Sequence, residues 1–285
     1  MKMETRKTVG AGRRLLMTLA LLAATVAPAA AQELLVGIAP KNRLVFFAST
    51  NPGDVDVVKV TGLRQGEKLL GIDRRPFDGQ LYALGSTSRI YVINSATGVA
   101  TVVGTAGPFT PALSGTRFGF DFNPAVDRIR IVSNTGQNFR VNPDTGVTAG
   151  TDTALAYAIG DAGEGSIPGV AAAGYTNSDS PAPLATTLYD IDSRRDVLVI
   201  QNPPNNGTLN TVGALGINVT EVAGFDIAGS NEVAYASFQL KLRFGKSKRA
   251  SLYTINLLTG AATLVGKIGG PFPVSDITAM GPLIP

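Results

Sequence analysis

A repeated pattern of short strands constrains the fold of this chain more than any other feature, and residues 70–105 carry it most completely. Four short apolar runs follow one another there, separated by turns rich in Gly, Asn, Asp and Pro. Apolar runs of about four to eight residues between such turns are typical of β-strands joined by hairpins. The stretch therefore predicts four consecutive antiparallel strands.

Variants of this unit recur along the chain. They begin at Gly71, Gly119, Gly174 and Gly224, which gives spacings of 48, 55 and 50 residues. A period of roughly 40–50 residues with four strands in each unit is typical of a β-propeller, in which each unit is one blade. We therefore predict an all-β chain, with a β-sandwich or an open solenoid as the alternative folds.

The two ends of the repeat region complete each other. Residues 34–60 contain three predicted strands and lack an inner one, whereas residues 277–281 form a single predicted strand. If this C-terminal strand joins the N-terminal piece, the ring closes and no sheet edge is left exposed. The expected architecture is a β-propeller of five blades, each of four antiparallel strands, closed by the C-terminal strand.

Three predicted hairpin turns share one form. They are Asn94-x-x-Thr97-Gly98, Asn142-x-x-Thr145-Gly146 and Asn256-x-x-Thr259-Gly260. Glycine accepts the positive φ angle that such turns require, and an asparagine side chain can bond nearby backbone. We interpret the motif as structural.

The first 31 residues differ from the rest of the chain. Five basic residues precede the apolar run 15–26, and the small residues Ala29, Ala30 and Ala31 follow it. This order predicts a secretory signal peptide cleaved between Ala31 and Gln32, and therefore a secreted or periplasmic domain at 32–285. An uncleaved anchor is the alternative, but the run is short for a membrane span of about 20 residues.

The basic character of the chain belongs to this leader. It carries five of the 25 Lys and Arg residues and one of the 21 acidic residues, so the remainder has 20 of each sign. A balanced domain gives no reason to expect nucleic-acid binding. No later run is long and apolar enough to predict a membrane span.

The residue types that are missing restrict the chemistry. Histidine, cysteine and tryptophan are all absent. A Ser-His-Asp triad, a cysteine nucleophile, a disulfide and the usual zinc sites are therefore excluded. Carboxylates, Tyr, Lys, Arg and oxygen-ligated cations remain, which favours a binding protein over most classes of enzyme.

Several stretches resemble a known family, a domain of unknown function (number 4394) in secreted bacterial proteins. The matching stretches are Gly71-Ile72-Asp73 through Leu84, residues 142–146, 175–178 and 189–192, and Gln201-Asn202-Pro203-Pro204-Asn205-Asn206-Gly207-Thr208. The resemblance implies a propeller-like fold and a location in the envelope or outside the cell. It implies no activity and no catalytic residues, and segment 241–250 departs from the family pattern.

Three of the repeat units place an aspartate third, after a glycine and an apolar residue. Asp73, Asp121 and Asp226 hold this position, and Thr176 and Gly281 are expected to hold it in the other two blades. The inner strand of a blade lines the central channel, so the three carboxylates should converge near the mouth shared by the connectors between blades. They could ligate Ca²⁺, or act as acid, base or nucleophile in glycan cleavage. Alternatively, each bonds backbone amides of the neighbouring blade.

A second candidate region is basic. Lys241, Arg243, Lys246, Lys248 and Arg249 form a predicted hairpin tip that we call the basic flap. It suits an anionic partner such as an acidic glycan or a lipid phosphate, although a solvated hairpin is the alternative. We add Arg194, Arg195, Tyr175 and Asn177 to the candidate ligand-binding residues. The long connector 151–171 is expected to lie over the same mouth.

Three functional hypotheses follow. The first is a non-enzymatic binding or scaffold propeller that recognises a glycan, a peptide or an anionic envelope component at the funnel rim. The second is a carboxylate-dependent glycan hydrolase or lyase that uses Asp73, Asp121 and Asp226. The third is a structural matrix component. No organic cofactor is expected, and Ca²⁺ is the metal that these residues suggest.

Overall fold

The computed structural model describes Met1 and residues 32–105, 107–179 and 181–283. Apart from Met1, the predicted signal peptide lies outside the described residues. The described chain is all-β, with a single 3₁₀ turn at Pro204–Asn206. Within these residues no helix has the length and apolar character needed to cross a membrane.

The strands are numbered in chain order. The first eleven are β1 (Glu33–Ala39), β2 (Arg43–Ala48), β3 (Asn51–Lys59), β4 (Leu69–Arg74), β5 (Leu81–Gly85), β6 (Arg89–Ile93), β7 (Ala100–Val102), β8 (Phe118–Asn123), β9 (Arg128–Ser133), β10 (Asn138–Val141) and β11 (Thr148–Thr151). The others are β12 (Ala156–Tyr157), β13 (Val170–Tyr175), β14 (Leu188–Asp192), β15 (Val197–Gln201), β16 (Thr208–Ala214), β17 (Val219–Ile227), β18 (Ala234–Leu242), β19 (Gly245–Lys246), β20 (Ser251–Ile255), β21 (Ala262–Lys267) and β22 (Ile277–Pro282).

These strands form five separate sheets, the five blades predicted from the repeat. From the inside outwards, blade 1 is β22-β1-β2-β3, blade 2 is β4-β5-β6-β7 and blade 3 is β8-β9-β10-β11. Blade 4 is β13-β14-β15-β16, with β12 added in parallel on its outer edge, and blade 5 is β17-β18-β20-β21. The short β19 pairs with the far end of β18 and forms the flap hairpin.

The blades form a closed ring because their inner strands pack side by side. β22 lies beside β4, β4 beside β8, β8 beside β13, β13 beside β17, and β17 beside β22. Five hydrophobic clusters fill the spaces between neighbouring blades; for example, Val36 and Leu44 of blade 1 pack with Ile72 of blade 2. Burial of these apolar faces is the main force that holds the blades together.

The C-terminal strand closes the ring as predicted. β22 pairs antiparallel with β1, with Leu35 opposite Ala279, Val36 opposite Thr278 and Gly37 opposite Ile277. The piece at the N-terminal side of the ring thereby gains its fourth, innermost strand. The predicted five-bladed propeller is confirmed.

The three Asn-x-x-Thr-Gly turns also form as predicted. The Oδ1 atom of Asn94 accepts hydrogen bonds from the backbone N–H groups of Ala96 and Thr97, and Gly98 has a φ of 73°. Asn142 and Asn256 make equivalent bonds, and each turn ends in a glycine with positive φ. The side chain thus fixes the turn that joins the two outer strands of the blade.

Each inner strand has a defined direction along the ring axis. It begins where a connector arrives from the previous blade, and in blades 2 to 5 it ends where the first hairpin turn leaves for the second strand. We call the two ends of the axis the connector end and the turn end. This direction decides which residues of an inner strand lie at which end.

Candidate functional site

Small residues let the inner strands approach each other closely. A Cβ atom placed on Gly71 would lie 2.5 Å from Cβ of Phe120, and one on Gly119 would lie 2.6 Å from Cβ of Ala173. A Cβ on Gly224 would lie 2.5 Å from Cα of Asp276. The glycine of each Gly-apolar-Asp start is therefore needed for packing against the next blade.

The close approach allows each aspartate to reach the backbone of the next inner strand. Asp73 accepts a hydrogen bond from the N–H of Phe122 at 2.8 Å, and Asp121 accepts one from Tyr175 at 3.1 Å. Asp226 accepts one from Ala279 at 2.6 Å. The backbone bonds that the sequence suggested as an alternative role are therefore present, and they link consecutive blades.

These bonds also define the true register of the repeat. Gly119 packs on Ala173 and Asp121 bonds Tyr175, so Gly174 takes the aspartate position in blade 4. In blade 1, Asp226 bonds Ala279, so Thr278 takes that position. The expected assignments to Thr176 and Gly281 are wrong, since they lie two and three residues too far along the chain.

The corrected register reveals a fourth carboxylate that the sequence reasoning missed. Asp276 stands where the other repeats have glycine or alanine, two residues before Thr278. Its Oδ2 atom accepts a hydrogen bond from the N–H of Ile72 at 2.8 Å, which continues the blade-to-blade pattern across the ring closure. Thr278 completes the contact by donating its hydroxyl to Asp73 Oδ1 at 2.8 Å.

The three predicted aspartates converge on one another. Asp73, Asp121 and Asp226 each offer a carboxylate oxygen within 4.8 Å of the other two, and their residues are 6%, 1% and 5% exposed. We call them the aspartate triad. None of the ion pairs found among the described residues includes a triad member or Asp276.

Burial and mutual repulsion make these groups hard to ionise. Desolvation is the main cause that raises the pKa of Asp73 and Asp121 well above the usual value, and charge repulsion within the triad adds to it. Burial also raises the pKa values of Asp226 and Asp276. Such a cluster needs protons or a cation to offset its charge.

The triad adjoins a cavity at the turn end. The cavity has a volume of about 400 Å³, and its lining includes Asp226, Arg74, Asp179 and Glu33. Glu33 is fully buried: its Oε1 atom accepts hydrogen bonds from Ser230 and Asn231, but Oε2 has no partner among the described residues. The cavity is therefore richer in carboxylates than in basic groups.

The location of this cavity corrects one expectation. The sequence predicts a position for the triad near the mouth shared by the connectors. In the structure, however, Asp73 is the second-to-last residue of β4 and Asp226 is the second-to-last residue of β17. Turn residues Pro76, Ser178 and Gly229 line the cavity instead. The triad thus belongs to the turn end, because the inner strands run from the connectors towards these turns.

A known protein family matches most of this chain. The model of a domain of unknown function, DUF4394, matches residues 43–278. The chain belongs to the DUF4394 family. No curated protein sequence matches the chain.

One solved structure with a similar fold is a structural genomics protein of unknown function from Bacteroides thetaiotaomicron VPI-5482. It shares 16% sequence identity with this DUF4394 chain, with a TM-score of 0.50 over 89% of this chain and 66% of the other. The likeness supports the fold alone.

The structure places Tyr175 and Asn177 of the DUF4394 chain in structural roles. Tyr175 is 1% exposed, and its hydroxyl accepts a hydrogen bond from the Nε–H of Arg130 in the space between blades 3 and 4. Asn177 has a φ of 55° and donates its side-chain amide to the carbonyl of Ala185 across a turn. Tyr175 is thus closed to a ligand at the surface.

Arg194 and Arg195 are engaged by the long connector. They donate hydrogen bonds to the carbonyl oxygens of Ile167 and Ala162, respectively. Asp161 in turn bonds the backbone and hydroxyl of Thr211 on β16. The connector therefore packs along the outer edge of blade 4, and the expectation that it lies over the central mouth is wrong.

The basic flap forms the predicted hairpin tip in the DUF4394 chain. Lys241 pairs with Asp196 at 3.6 Å, and the guanidinium of Arg243 lies 5.2 Å from the ring centre of Phe244. Lys246, Lys248 and Arg249 are exposed, and no ion pair among the described residues includes them. Binding of an anionic partner by this flap stays a prediction.

Proposed function

We propose that this protein is a secreted or periplasmic binding propeller that holds Ca²⁺ in the aspartate triad and binds a glycan at the turn end. The observation that carries the proposal is the convergence of three buried carboxylates within 4.8 Å beside a cavity that Glu33 and Asp179 also line. The predicted leader supports a location outside the cytoplasm, where Ca²⁺ sites of moderate affinity are common.

The donor set suits Ca²⁺ better than other metals. All three donors are carboxylate oxygens, which hard cations prefer, whereas zinc and copper sites draw on His and Cys, which the chain lacks. Ca²⁺ binds oxygens at about 2.3–2.6 Å, so two ligands on opposite sides of the ion lie about 5 Å apart. Oxygens within 4.8 Å of one another fit one shell around a single ion.

The three carboxylates fill only part of the coordination shell of Ca²⁺, and a ligand in the cavity could supply further oxygen atoms. Ca²⁺ takes about 6–8 oxygen ligands, and hydroxyls of a sugar are neutral oxygens that can complete the set. Asp226 belongs both to the triad and to the cavity lining, so an ion there is adjacent to the space that a ligand would enter. Glu33, Asp179 and Ser230 would supply further hydrogen-bond partners.

Binding fits the geometry better than glycan cleavage does. A glycosidase needs two carboxyl groups about 5–10 Å apart on either side of the bond that breaks. The triad residues are 6%, 1% and 5% exposed, and each aspartate already accepts a backbone hydrogen bond from the next blade. These buried carboxyl groups are poorly placed to reach both sides of a glycosidic bond.

The test is calorimetric titration of chelator-treated protein with CaCl₂, combined with thermal melting. We expect wild type to bind one Ca²⁺ and to melt several degrees higher at saturating Ca²⁺, since a ligand stabilises the state that binds it. Asp121→Asn keeps an acceptor for the N–H of Tyr175 and removes one charge. It should stay folded and lose at least tenfold in Ca²⁺ affinity.

A matched control is Asp190→Asn, because Asp190 is also fully buried but lies on the second strand of blade 4. It should retain the Ca²⁺ affinity of wild type. Absence of Ca²⁺ binding by wild type, or equal loss in both variants, would refute the metal site. A glycan array probed with and without Ca²⁺ tests the ligand; binding that ignores Ca²⁺ would refute the proposed role of the ion.

A further inference from the structure

A second cavity lies at the connector end, opposite the triad. Its volume is about 460 Å³. Its lining includes Leu69 at the start of β4, Arg117 immediately before β8, Val222 in the first half of β17, and Ser275 just before β22. Four of the five blades thus contribute the beginnings of their inner strands, so the cavity lies at the axis of the ring.

Three basic side chains surround this cavity. Lys41, Lys68 and Arg117 come from blade 1, from the connector into blade 2 and from the connector into blade 3. None of the ion pairs in the described part of the chain includes any of them. Their positive charges are therefore available to a ligand.

The nearest acidic residues in sequence do not neutralise them. Glu67 precedes Lys68, but its carboxylate accepts hydrogen bonds from Thr87 and from the hydroxyl of Tyr91. Glu221 precedes Val222, is exposed and does not line the cavity. The cavity itself has no acidic residue among the described residues that line it.

One asparagine joins the two backbone segments that carry Lys41 and Lys68. Asn42 donates its side-chain amide to the carbonyl of Glu67 at 2.8 Å and accepts from the N–H of Leu69 at 3.0 Å. This pair of bonds fixes the turn that carries Lys41 against the segment that carries Lys68. The spacing of the two lysine backbones is thus built into the contact between blades 1 and 2.

Arg117 has most of its hydrogen-bonding capacity unused. A guanidinium has five N–H donors, and the only one engaged among the described residues is on Nη1, which bonds the carbonyl of Thr116 at 3.1 Å. Its Nε atom is buried without a partner in the described part of the chain. A carboxylate or phosphate matches the fork of donors that remains.

The rest of the lining is largely apolar. It includes Ile38, Ala39, Pro40, Leu69, Val222 and Pro273. A hydrophobic wall with a few fixed charged groups is the usual form of a small-molecule site, and this volume is within the usual range of about 300–1,000 Å³. A fully hydrated inorganic ion would leave that wall without a contact.

We propose that the connector end binds a small amphipathic anion. Lys41, Lys68 and Arg117 hold its carboxylate or phosphate head, and its apolar body lies against Leu69, Val222 and Pro273. This site is independent of the triad, since it lies at the other end of the inner strands and uses none of the same residues.

Decanoate and decyl phosphate are the probes that test this proposal. Isothermal titration of the full mature domain should detect binding of at least one of them, and comparison of the two identifies the preferred head group. Lys68→Gln/Arg117→Gln should weaken that binding by at least tenfold. Decyltrimethylammonium, which has the same tail and the opposite charge, should not bind.

A control variant separates this site from general attraction to positive charge. Lys246→Gln/Lys248→Gln removes the same number of charges from the basic flap and should leave the affinity within twofold of wild type. The proposal is overturned if wild type binds neither anion at millimolar concentration, if both double variants lose affinity equally, or if the cationic detergent binds as well as the anions.

Discussion

The two ends of the ring axis are built from the same inner strands but carry opposite types of ionisable group, basic side chains at the connector end and mainly carboxyl groups at the turn end. Arg117 precedes β8 and contributes to the basic cavity at the connector end, whereas Asp121, four residues later, belongs to the triad. Blade 5 shows the same order with Val222 and Asp226. Whether a residue lies at the connector end or at the turn end therefore depends on its position along the inner strand and not on the blade to which it belongs.

The ends also differ in how their ionisable groups are held. Next to the triad, glycines bring neighbouring backbones together and each carboxylate bonds the next blade. At the connector end, the basic groups around the cavity lack carboxylate partners among the described residues. Substitution of the inner-strand glycines should therefore affect folding, while substitution of the basic residues at the connector end should affect binding.

The largest expected effect is that of Gly119→Ala. The new Cβ would lie 2.6 Å from Cβ and 2.8 Å from the backbone N of Ala173, so two strands must move apart. We expect a loss of about 2–3 kcal/mol in the free energy of unfolding, measured by denaturant titration. Arg117→Ala, two residues earlier, should cost less than about 1 kcal/mol.

Gly53→Ala serves as the control for Gly119→Ala. A Cβ atom at Gly53 would meet nothing closer than 3.9 Å. Its stability should stay within about 0.5 kcal/mol of wild type. If the two alanine variants are equally stable, close packing of the inner strands at Gly119 does not stabilise the ring.

An intermediate effect is expected from pH, because the carboxylates of the turn end titrate as a buried cluster. Burial raises the pKa of Asp73 and Asp121 above the ordinary value of 3.8, so the folded state binds protons more tightly than the unfolded chain. Without Ca²⁺, stability should therefore fall as pH rises from about 4 through the raised pKa values. The slope is at most about 1.4 kcal/mol per pH unit for each carboxyl group that is protonated only in the folded state.

Thermal melting between pH 4 and 9 measures this slope. Asp121→Asn should flatten it, and saturating Ca²⁺ should do the same in wild type. Asp190, whose pKa burial raises to about 8, contributes a separate component that ends near that pH and disappears in Asp190→Asn. A slope of opposite sign would mean that the triad is ionised and stabilised in the absence of metal.

The smallest effect is expected from Lys68→Gln/Arg117→Gln on stability. Neither residue has an ion-pair partner in the described structure, and unpaired charges that reach solvent contribute little to folding. The free energy of unfolding should change by less than about 0.5 kcal/mol. A larger loss would show that these residues are structural, and weaker decanoate binding by the variant would then be explained by misfolding.

Local and periodic features made the fold predictable from the sequence. The Asn-x-x-Thr-Gly turns depend only on residues within five positions, and the repeat period counts the blades directly. The closure by residues 277–281 followed from the missing inner strand at 34–60. These signals depend on backbone chemistry that every blade shares.

The details of the site were harder to predict because they depend on contacts between blades. Blade 4 reads Ala172-Ala173-Gly174 at the register where blades 2, 3 and 5 read Gly-apolar-Asp, and the nearby Gly174-Tyr175-Thr176 resembles that pattern more closely. Asp276 cannot be recognised from the repeat pattern, because it occupies the position of the glycine and not that of the aspartate. The correct alignment requires knowing which backbone N–H each carboxylate meets.

The prediction that the triad lies at the connector end of the axis is also wrong. The sequence predicts that Asp73 and Asp226 lie on inner strands. The end of the axis at which they lie depends on where each strand ends. Both are the second-to-last residues of their strands. Strand ends are set by sheet pairing with the neighbour, which a single sequence does not display.

Ring closure by β22 has a consequence for biogenesis. Asp276 bonds Ile72 and Thr278 bonds Asp73 across separations of 204 and 205 residues. The blades can form one after another, but the centre stays open until β22 has paired with β1. Until that pairing forms, β1 displays an unpaired edge and the acidic centre is incomplete, so the open ring is the form most exposed to aggregation.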